Sequence, residues 1–331
     1  MPAQRVPYDP ELIPALHASK QRMEPGPLTP HTILDTRRRF RGFEIPLPEL
    51  IGDRPIQWTD HTVPGPPGAP DVVVTVLRPQ GPTGGAGIYN IHGGGMILGS
   101  RTGGLVNLLD MVVDHGVVVG SVEYRLAPEA PHPAPVEDCY AGLVWMAGHA
   151  AELGFDPARQ VVIGASAGGG LAAGVSLLAR DRGGPALAGQ GLICPMIDDR
   201  NNTVSSHQYA DVGLWDRSYN HAGWTALLGS ARGGPDVSPY AAPARATDLS
   251  GLPPAYIEVG SAEVFRDENV AYATRIWATG GQAELHVWAG GFHGFTSVPE
   301  ARVAQAALAA RRSWLERILH PRCAPDLRFV T

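Results

Sequence analysis

Short apolar, β-branched segments alternate with helical patterns from residue 71 to residue 318, and this order constrains the fold more than any other feature. Such alternation predicts a mostly parallel sheet with helices on both faces, that is, an α/β fold. Right-handed crossovers bring the carboxyl ends of the strands to one edge, where open α/β sheets bind ligands. The predicted strands are 71–77, 87–91, 117–124, 160–164, 191–194, 255–259 and 285–288, and the predicted helices are 103–114, 136–153, 168–180, 269–279 and 301–318.

Two regions interrupt the alternation. Residues 1–45 contain an amphipathic stretch and then a proline-rich tract, and residues 200–250 are rich in glycine and polar side chains, with Trp215 and Trp224 among them. A long insertion beside a ligand-binding edge is commonly a lid or cap. We therefore expect an N-terminal cap segment (1–45), the first part of the core (46–199), a cap insertion (200–250) and the second part of the core (251–331).

Charge and cysteine content exclude several classes of protein. The net charge is −6 over 331 residues and the densest basic run is Arg37-Arg38-Arg39, so we expect no nucleic-acid partner. No apolar run reaches the roughly 18 residues of a membrane span, and the N-terminus lacks the apolar segment of a leader peptide. Cys139, Cys194 and Cys323 fit neither a disulfide framework nor a zinc pattern, which predicts reduced thiols in a cytoplasmic protein.

A candidate nucleophile lies where a predicted strand meets a predicted helix. The segment 164–168 has the pattern Gly-x-Ser-x-Gly, in which the serine, here Ser166, occupies a strained turn that lifts its hydroxyl clear of the sheet. The backbone N–H of Ala167 then points to where an oxyanion develops. The alternative is a glycine-rich turn that cradles a phosphate at a helix start, although no phosphate-loop or dinucleotide fingerprint accompanies it.

A glycine run after the second predicted strand is a candidate oxyanion loop. His92-Gly93-Gly94-Gly95 ends that strand about 70 residues before Ser166. A tetrahedral intermediate carries a negative charge, and each prearranged backbone N–H donor lowers its free energy by roughly 3–4 kcal/mol. Glycines let the backbone turn its amides toward one point without side-chain clash. We expect His92 to brace the loop by hydrogen bonds and not to act as a base.

Five segments, in family order, resemble the hormone-sensitive-lipase-like branch of the α/β hydrolases. They are 92–95 (HGGG), 123–129 (EYRLAPE), 164–169 (GASAGG), and 263–268 (EVFRDE) followed by 291–295 (GFHGF). The resemblance covers residues from about 70 to about 300, most of the chain. It implies an α/β-hydrolase fold with a helical cap, built from the N-terminal region and an insertion after the sixth strand. It also implies hydrolysis of short- to medium-chain acyl esters and, often, a homodimer.

The chain departs from the family pattern at three positions. Ala165 precedes the serine where the family usually has Asp or Thr, and Met96 follows the glycine run where an aromatic residue is usual. Glu263 occupies the position of the usual catalytic Asp, which preserves the chemistry but requires its loop to lie slightly further from the base. Within 123–129, we expect Arg125 and the two flanking glutamates to form a structural ion-pair network.

His293 is the candidate general base. Triad order on this fold is serine, acid, histidine, and the histidines after Ser166 are His207, His221, His286, His293 and His320. His293 follows a strand in a glycine-flanked loop that can reach the serine. Glu263 follows the strand 255–259 and is the candidate acid that orients the imidazole. Asp267 and Glu268 are the rival acids, although both begin a helix, where carboxylates complement the helix dipole.

The predicted function is hydrolysis of a small acyl ester through an acyl-enzyme on Ser166, with the amides of Gly93, Gly94 or Gly95 and of Ala167 as oxyanion donors and no metal or organic cofactor. The same triad serves lactonases, amidases and acyltransferases, and a non-catalytic small-molecule receptor is a further alternative. Trp215 and Phe292 are candidate substrate contacts, with Trp224 a third cap aromatic; packing is the other interpretation.

Overall fold

A single eight-stranded sheet forms the centre of the part of the molecule that the structure describes. The computed structural model describes residues 4–23, 28–29 and 32–320. Seven strands confirm the seven predicted ones, and an additional strand, β1, precedes them. The strands are β1 (Ile56–Val63), β2 (Val72–Pro79), β3 (Gly85–Ile91), β4 (Val118–Glu123), β5 (Phe155–Ala165), β6 (Gly189–Ile193), β7 (Ala255–Gly260) and β8 (Ala283–Trp288).

The strand order is β1-β2-β4-β3-β5-β6-β7-β8. Strand β2 pairs antiparallel with β1 and with β4, and every pairing from β4 to β8 is parallel. Strand β5 lies near the middle, where Ile163 pairs with Asn90 of β3 on one side and Gly191 of β6 on the other. The carboxyl ends of β3, β5, β6, β7 and β8 therefore meet at one edge, as the sequence predicts.

The sequence misses β1 because this edge strand has few apolar side chains. Its residues from Gln57 to Asp60 are exposed, and only the terminal Ile56 and Val63 are buried. Most of this strand is not covered on either face, so its polar side chains remain in water. Period-two apolar patterning, the usual signal of a strand, is consequently weak in this segment.

The helices are α1 (Ile13–Met23), α2 (Ile33–Arg41), α3 (Leu47–Ile51), α4 (Leu109–His115), α5 (Ala134–Gly148), α6 (Ala150–Leu153), α7 (Ala167–Arg182), α8 (Val204–Gln208), α9 (Arg217–Leu228), α10 (Arg266–Ala278) and α11 (Arg302–Leu319). The predicted helix 103–114 is shorter than expected: Gly104 has φ +83° and cannot be α-helical, residues Leu105–Asn107 form a 3-10 turn, and the α-helix begins at Leu109. The predicted helix 136–153 is broken at His149 into α5 and α6. None of the described helices has the length and apolar content needed to cross a bilayer.

Helix α7 lies at the centre of the packing, directly after the candidate nucleophile. All residues from Ala167 to Ala179 are buried, and the helix contacts β3, β5, β6 and α5. Its small side chains allow this close approach, since a Cβ on Gly168 would lie 2.0 Å from the carbonyl oxygen of Ile91. A second, smaller apolar cluster joins Leu12 and Leu16 to residues of the 292–307 segment. The close approach of Gly168 to Ile91 fixes the start of α7 against the end of β3.

Candidate active site

Ser166 occupies a sharp turn between β5 and α7. Its backbone has φ 58° and ψ −121°, a conformation that costs energy for any residue with a Cβ. Neighbouring hydrogen bonds hold it: the Ser166 N–H donates to the Ile193 carbonyl (2.8 Å), and the Ser166 carbonyl accepts from Gly170 (3.0 Å) and Met196 (2.9 Å). The turn matches the strained strand-to-helix geometry that the sequence predicts for the candidate nucleophile.

The loop after β8 brings His293 to Ser166. His293 Nε2 lies 3.0 Å from Ser166 Oγ, which is hydrogen-bond distance for proton transfer. Glu263, on the loop after β7, places Oε2 2.5 Å from His293 Nδ1. Its other oxygen, Oε1, accepts the N–H of Gly260 at 2.9 Å. The three predicted residues thus form one chain of contacts from carboxylate to imidazole to hydroxyl.

Burial and charge set the protonation behaviour of this group. The Glu263 side chain is 1% exposed and that of His293 is 12% exposed. Burial lowers the pKa of His293, but the Cys194 sulfur and the Glu263 carboxylate together outweigh burial and raise the pKa well above its ordinary value. Phe265 packs edge-on against the imidazole, with ring centroids 5.1 Å apart. An imidazolium formed at this position is therefore stabilised by the carboxylate behind it.

The loop after β3 passes directly beside Ser166. A Cβ on Gly93 would lie 3.4 Å from the Ser166 Cβ, and Gly94 and Gly95 have φ values of +118° and +62°. Among the described residues, no carbonyl accepts a hydrogen bond from the N–H of Gly93, Gly94, Gly95 or Ala167. Free backbone donors beside a serine hydroxyl are the arrangement that stabilises an oxyanion.

His92 braces this loop. Its Nδ1 lies 2.8 Å from the Gly93 carbonyl oxygen, and its ring stacks on Tyr124 at 4.1 Å. The Tyr124 hydroxyl donates to the His92 carbonyl at 2.9 Å. Burial lowers the pKa of His92, so the ring is neutral at neutral pH. These contacts hold the end of β3 in position, as expected from the sequence.

The predicted cap aromatics lie in three different surroundings. Trp215 is buried against the oxyanion loop, because a Cβ on Gly95 would lie 2.1 Å from its indole ring. Trp224 is fully buried in the main core. Phe292 is 1% exposed and packs in the second apolar cluster, where Tyr8 meets its ring edge-on. A substrate contact by Trp215 or Phe292 stays a prediction.

The expected ion-pair network among residues 123–129 is wrong in its partners. Arg125 pairs with the buried Asp138 at 2.6 Å and does not bond to the flanking glutamates. Glu123 instead accepts from Arg101, and Glu129 pairs with Arg37. Each of the three charges finds a partner on a different element, which local sequence spacing does not reveal.

The rival acids form hydrogen bonds with other groups and not with His293. Asp267 accepts the Ser205 N–H (2.7 Å) and the Arg266 guanidinium (2.7 Å). Glu268 accepts the N–H groups of Ile197 (2.9 Å) and Asp198 (3.2 Å). Both carboxylates therefore tie the start of α10 to the segment after β6, and of the three candidates Glu263 alone reaches the imidazole.

Sequence reasoning missed Cys194 as a neighbour of this group. It directly follows β6, and its sulfur lies with a His293 nitrogen and a Glu263 oxygen in a cluster whose atoms are all within 4.8 Å of one another. Cys139 and Cys194 are both free and buried, and Cys323 lies outside the described residues. The available signal was the position of Cys194, because β6 ends between the strands that carry Ser166 and Glu263.

Comparison with known proteins gives a consistent set of relatives. A family model described as alpha/beta hydrolase fold matches residues 88–297. Carboxylesterase NlhH of Mycobacterium tuberculosis is 37% identical over 304 residues, covering 86% of this chain and 89% of the relative. Carboxylic ester hydrolase LipN of the same species is 35% identical over 275 residues, covering 80% and 72%. Among solved structures, a bacterial heroin esterase superposes with a TM-score of 0.86 at 37% identity, covering 94% of this chain and 98% of its own.

Proposed function

The chain belongs to the α/β-hydrolase family of hormone-sensitive-lipase-like esterases and is a carboxylic ester hydrolase, and from that premise we propose that it cleaves short- to medium-chain acyl esters through an acyl-enzyme on Ser166. The observation that carries the proposal is the 3.0 Å contact between Ser166 Oγ and His293 Nε2, with Glu263 behind the imidazole. This is the arrangement by which a histidine activates a serine hydroxyl.

In the first half of the reaction, Ser166 Oγ attacks the ester carbonyl carbon while His293 Nε2 accepts the hydroxyl proton. Glu263 keeps the Nδ1 proton in place and stabilises the imidazolium. The oxyanion accepts hydrogen bonds from Ala167 and from the loop amides of residues 93–95. When the tetrahedral intermediate collapses, the imidazolium gives its proton to the leaving alcohol, and the acyl group stays on Ser166.

In the second half, water takes the place of the alcohol. His293 accepts a proton from water, the resulting hydroxide attacks the acyl carbonyl, and the same amides stabilise the second oxyanion. Collapse returns the proton to Ser166 Oγ and releases the carboxylic acid. His293 passes on each proton that it accepts within the same half-reaction, so the proposed steps require no cofactor.

Replacing the nucleophile tests the mechanism. We expect Ser166→Ala to lower the kcat for p-nitrophenyl esters by about five to six orders of magnitude, with unchanged circular dichroism and unfolding midpoint. Ser176→Ala is the matched control, since Ser176 lies on the same helix with its hydroxyl bonded to the Ala172 carbonyl. A phosphonate ester should add covalently to residue 166 alone, as mass spectrometry of peptides would report. Near-normal turnover by Ser166→Ala would remove the assignment.

A series of substrates tests the specificity part of the proposal. Turnover of acyl esters of increasing chain length, measured as kcat/KM, should peak among the short and medium chains. Amides and lactones measured beside them separate an esterase from an amidase or a lactonase with the same triad, and addition of alcohol acceptors detects acyl transfer. A greater kcat/KM for an amide or lactone than for every ester would redirect the assignment.

The proposal includes a cap made of the N-terminal segment and the 200–250 insertion. Two contacts support it: the Arg5 guanidinium donates to the Gln208 carbonyl (2.7 Å), and the Tyr209 hydroxyl donates to the Val6 carbonyl (2.7 Å). Residues 1–3, 24–27, 30–31 and 321–331 of the predicted cap and core segments lie outside the described residues. A cytoplasmic location and a homodimer remain predictions; light scattering during size-exclusion chromatography tests the latter.

A further inference from the structure

Strand β6 ends at a cysteine that faces the histidine and its carboxylate. Cys194 is 8% exposed and has φ +37°, and its N–H donates to the Glu258 carbonyl of β7 at 2.6 Å. One ligand atom each from Cys194, Glu263 and His293 lies within 4.8 Å of the other two. Among the described residues, no other group of three His, Cys, Asp or Glu side chains comes this close. The proposed mechanism uses His293 and Glu263 but has no step for the thiol.

This combination of side chains has the chemistry of a zinc ligand set. Zinc binds thiolate sulfur, imidazole nitrogen and carboxylate oxygen at roughly 2.0–2.3 Å, and three protein ligands with one open position are common around it. Bonds of that length separate ligand atoms by about 3.3–3.8 Å in a tetrahedron, so shifts of about 1 Å bring the three atoms into place. A thiolate favours zinc and cadmium over magnesium and calcium.

We infer that Cys194, Glu263 and His293 form an inhibitory binding site for a thiophilic divalent cation such as Zn²⁺ or Cd²⁺. The cation replaces the thiol proton, which passes to solvent, and takes one ring nitrogen of His293. Bound at Nε2, it occupies the lone pair that accepts the Ser166 proton. Bound at Nδ1, it displaces the hydrogen bond to Glu263 and the Nδ1 proton moves to Nε2, which then has no lone pair left to accept the Ser166 proton. Either mode removes the general base, so the inhibitory part of the inference rests on the proposed function.

Two features of the structure favour occupation of this site. The Glu263 carboxylate is already fixed by the Gly260 N–H at 2.9 Å, and such outer contacts orient metal ligands. The His293 side chain is 12% exposed, which leaves a path from solvent to the imidazole. The same Zn²⁺ or Cd²⁺ ion would meet only a histidine and a carboxylate if residue 194 lacked sulfur. Sensitivity to the cation should therefore depend on Cys194.

The experiment compares inhibition and direct binding in the full chain after treatment with a chelator. We expect Zn²⁺ and Cd²⁺, but not Mg²⁺, to inhibit ester turnover reversibly, with activity restored by EDTA. Cys194→Ala and Cys194→Ser, each normalised to its own uninhibited rate, should raise the inhibition constant by at least about 10-fold, the effect that even outer-shell changes have at metal sites. Cys139→Ala, which removes the other described thiol, should keep the parental constant.

Direct binding distinguishes failure of this inference from failure of the proposed function. Calorimetry should show one Cd²⁺ per chain with an ultraviolet thiolate-to-cadmium band, in the parent and in Ser166→Ala alike, because the serine is not a ligand. Loss of the band in both Cys194 variants supports the site even if Ser166 is not the nucleophile. Equal inhibition of the parent and both Cys194 variants, or cadmium binding at Cys194 that leaves turnover unchanged, would overturn the inference.

Discussion

Glu263 performs two tasks with its two carboxylate oxygens. Oε2 contacts His293 Nδ1 and Oε1 accepts the Gly260 N–H, so the side chain is held at both oxygens before it meets the imidazole. The aspartate that is usual in this family is one methylene shorter, so its loop backbone would have to lie closer to the imidazole to make the same contact. The extra methylene of Glu263 is therefore matched to the backbone of the loop after β7. Substitutions at this residue should distinguish the effect of its negative charge from the effect of its side-chain length.

Glu263→Gln keeps the size of the side chain and removes its charge. We expect kcat to fall by about 10⁴-fold, because an amide can hold the wrong imidazole tautomer and cannot stabilise the imidazolium. Glu263→Asp keeps the charge but draws it back by about one bond, for which a loss of about 10²-fold is expected. Steady-state kinetics on p-nitrophenyl esters measures both, and the ranking Glu, Asp, Gln is the diagnostic result.

Asp267→Asn provides the matched control for the acid assignment. Asp267 is the nearby rival carboxylate and bonds to Ser205 and Arg266, so its loss should affect the start of α10 and leave kcat within about 10-fold of the parent. Equal losses of kcat in Asp267→Asn and Glu263→Gln would show that the ranking reflects general disturbance of the loop.

Glu268 makes stability depend on pH. Burial, and secondarily the Asp198 carboxylate, raise the pKa of Glu268 well above its ordinary value. The folded chain therefore keeps a proton that the unfolded chain has lost, and stability falls as pH rises from the unfolded pKa toward the folded one. Glu268→Gln retains a carbonyl acceptor for the amides of Ile197 and Asp198 without this titration.

Urea unfolding of the parent and of Glu268→Gln between pH 5 and 8 checks this sign. We expect the variant to gain on the parent as pH rises, by at most about 1.4 kcal/mol per pH unit, the limit for one proton. Titrations elsewhere cancel in the difference. A difference that is flat, or that shrinks with rising pH, would mean that Glu268 is charged throughout and is stabilised by its two amide donors.

At the scale of elements, the start of α7 is pressed against the end of β3. A Cβ on Gly168 would lie 2.0 Å from the Ile91 oxygen and 2.5 Å from the His92 oxygen, both backbone atoms that cannot move alone. Gly168→Ala should therefore displace the oxyanion loop, lowering the free energy of unfolding by about 1–3 kcal/mol and kcat by about 10²-fold. Denaturant unfolding and steady-state kinetics measure the two effects.

Gly148→Ala is the control for Gly168→Ala. Gly148 is the last residue of α5, its added Cβ would meet nothing within 4 Å, and its φ is not positive. Alanine has a higher helix propensity, so this variant should be neutral or more stable by up to about 1 kcal/mol. If both substitutions destabilise the chain alike, the loss of stability would come from replacing a helical glycine in general and not from the contact with β3.

The elements that the sequence predicts best are those whose side chains carry their own signal. Strands β2, β3, β4, β6 and β7 and the second half of β5 are buried and largely apolar. The Gly-x-Ser-x-Gly and His-Gly-Gly-Gly segments indicate their chemistry because only small residues fit the turns that they require. Strand β1 gives no such signal because it is an exposed edge. The break between α5 and α6 and the partners of Arg125 and Cys194 depend on tertiary contacts, which no local pattern encodes.

At the scale of the whole molecule, the chain's beginning supports the loop near its end. The Asp9 N–H donates to the Gly290 carbonyl at 3.0 Å, and Leu12 and Leu16 pack with Phe292 and Phe295 on either side of His293. The N-terminal segment thus packs against the loop that carries His293, which lies beyond the last strand. Its distance in sequence, more than 270 residues, explains why the sequence alone identifies a cap segment without showing what it contacts.

Leu12→Ala tests this long-range support. Leu12 is fully buried, so truncation should cost about 2–5 kcal/mol of unfolding free energy if the cavity does not collapse. Well below the unfolding midpoint, where the chain is folded, kcat should still fall by about 10- to 100-fold because the His293 loop loses its backing. Leu34→Ala, at a leucine of α2 that is 40% exposed, should change stability by no more than about 0.5 kcal/mol and leave kcat unaltered. If Leu12→Ala lowers stability but keeps the parental kcat, the N-terminal segment contributes to stability alone. The loop would then hold His293 in position without it.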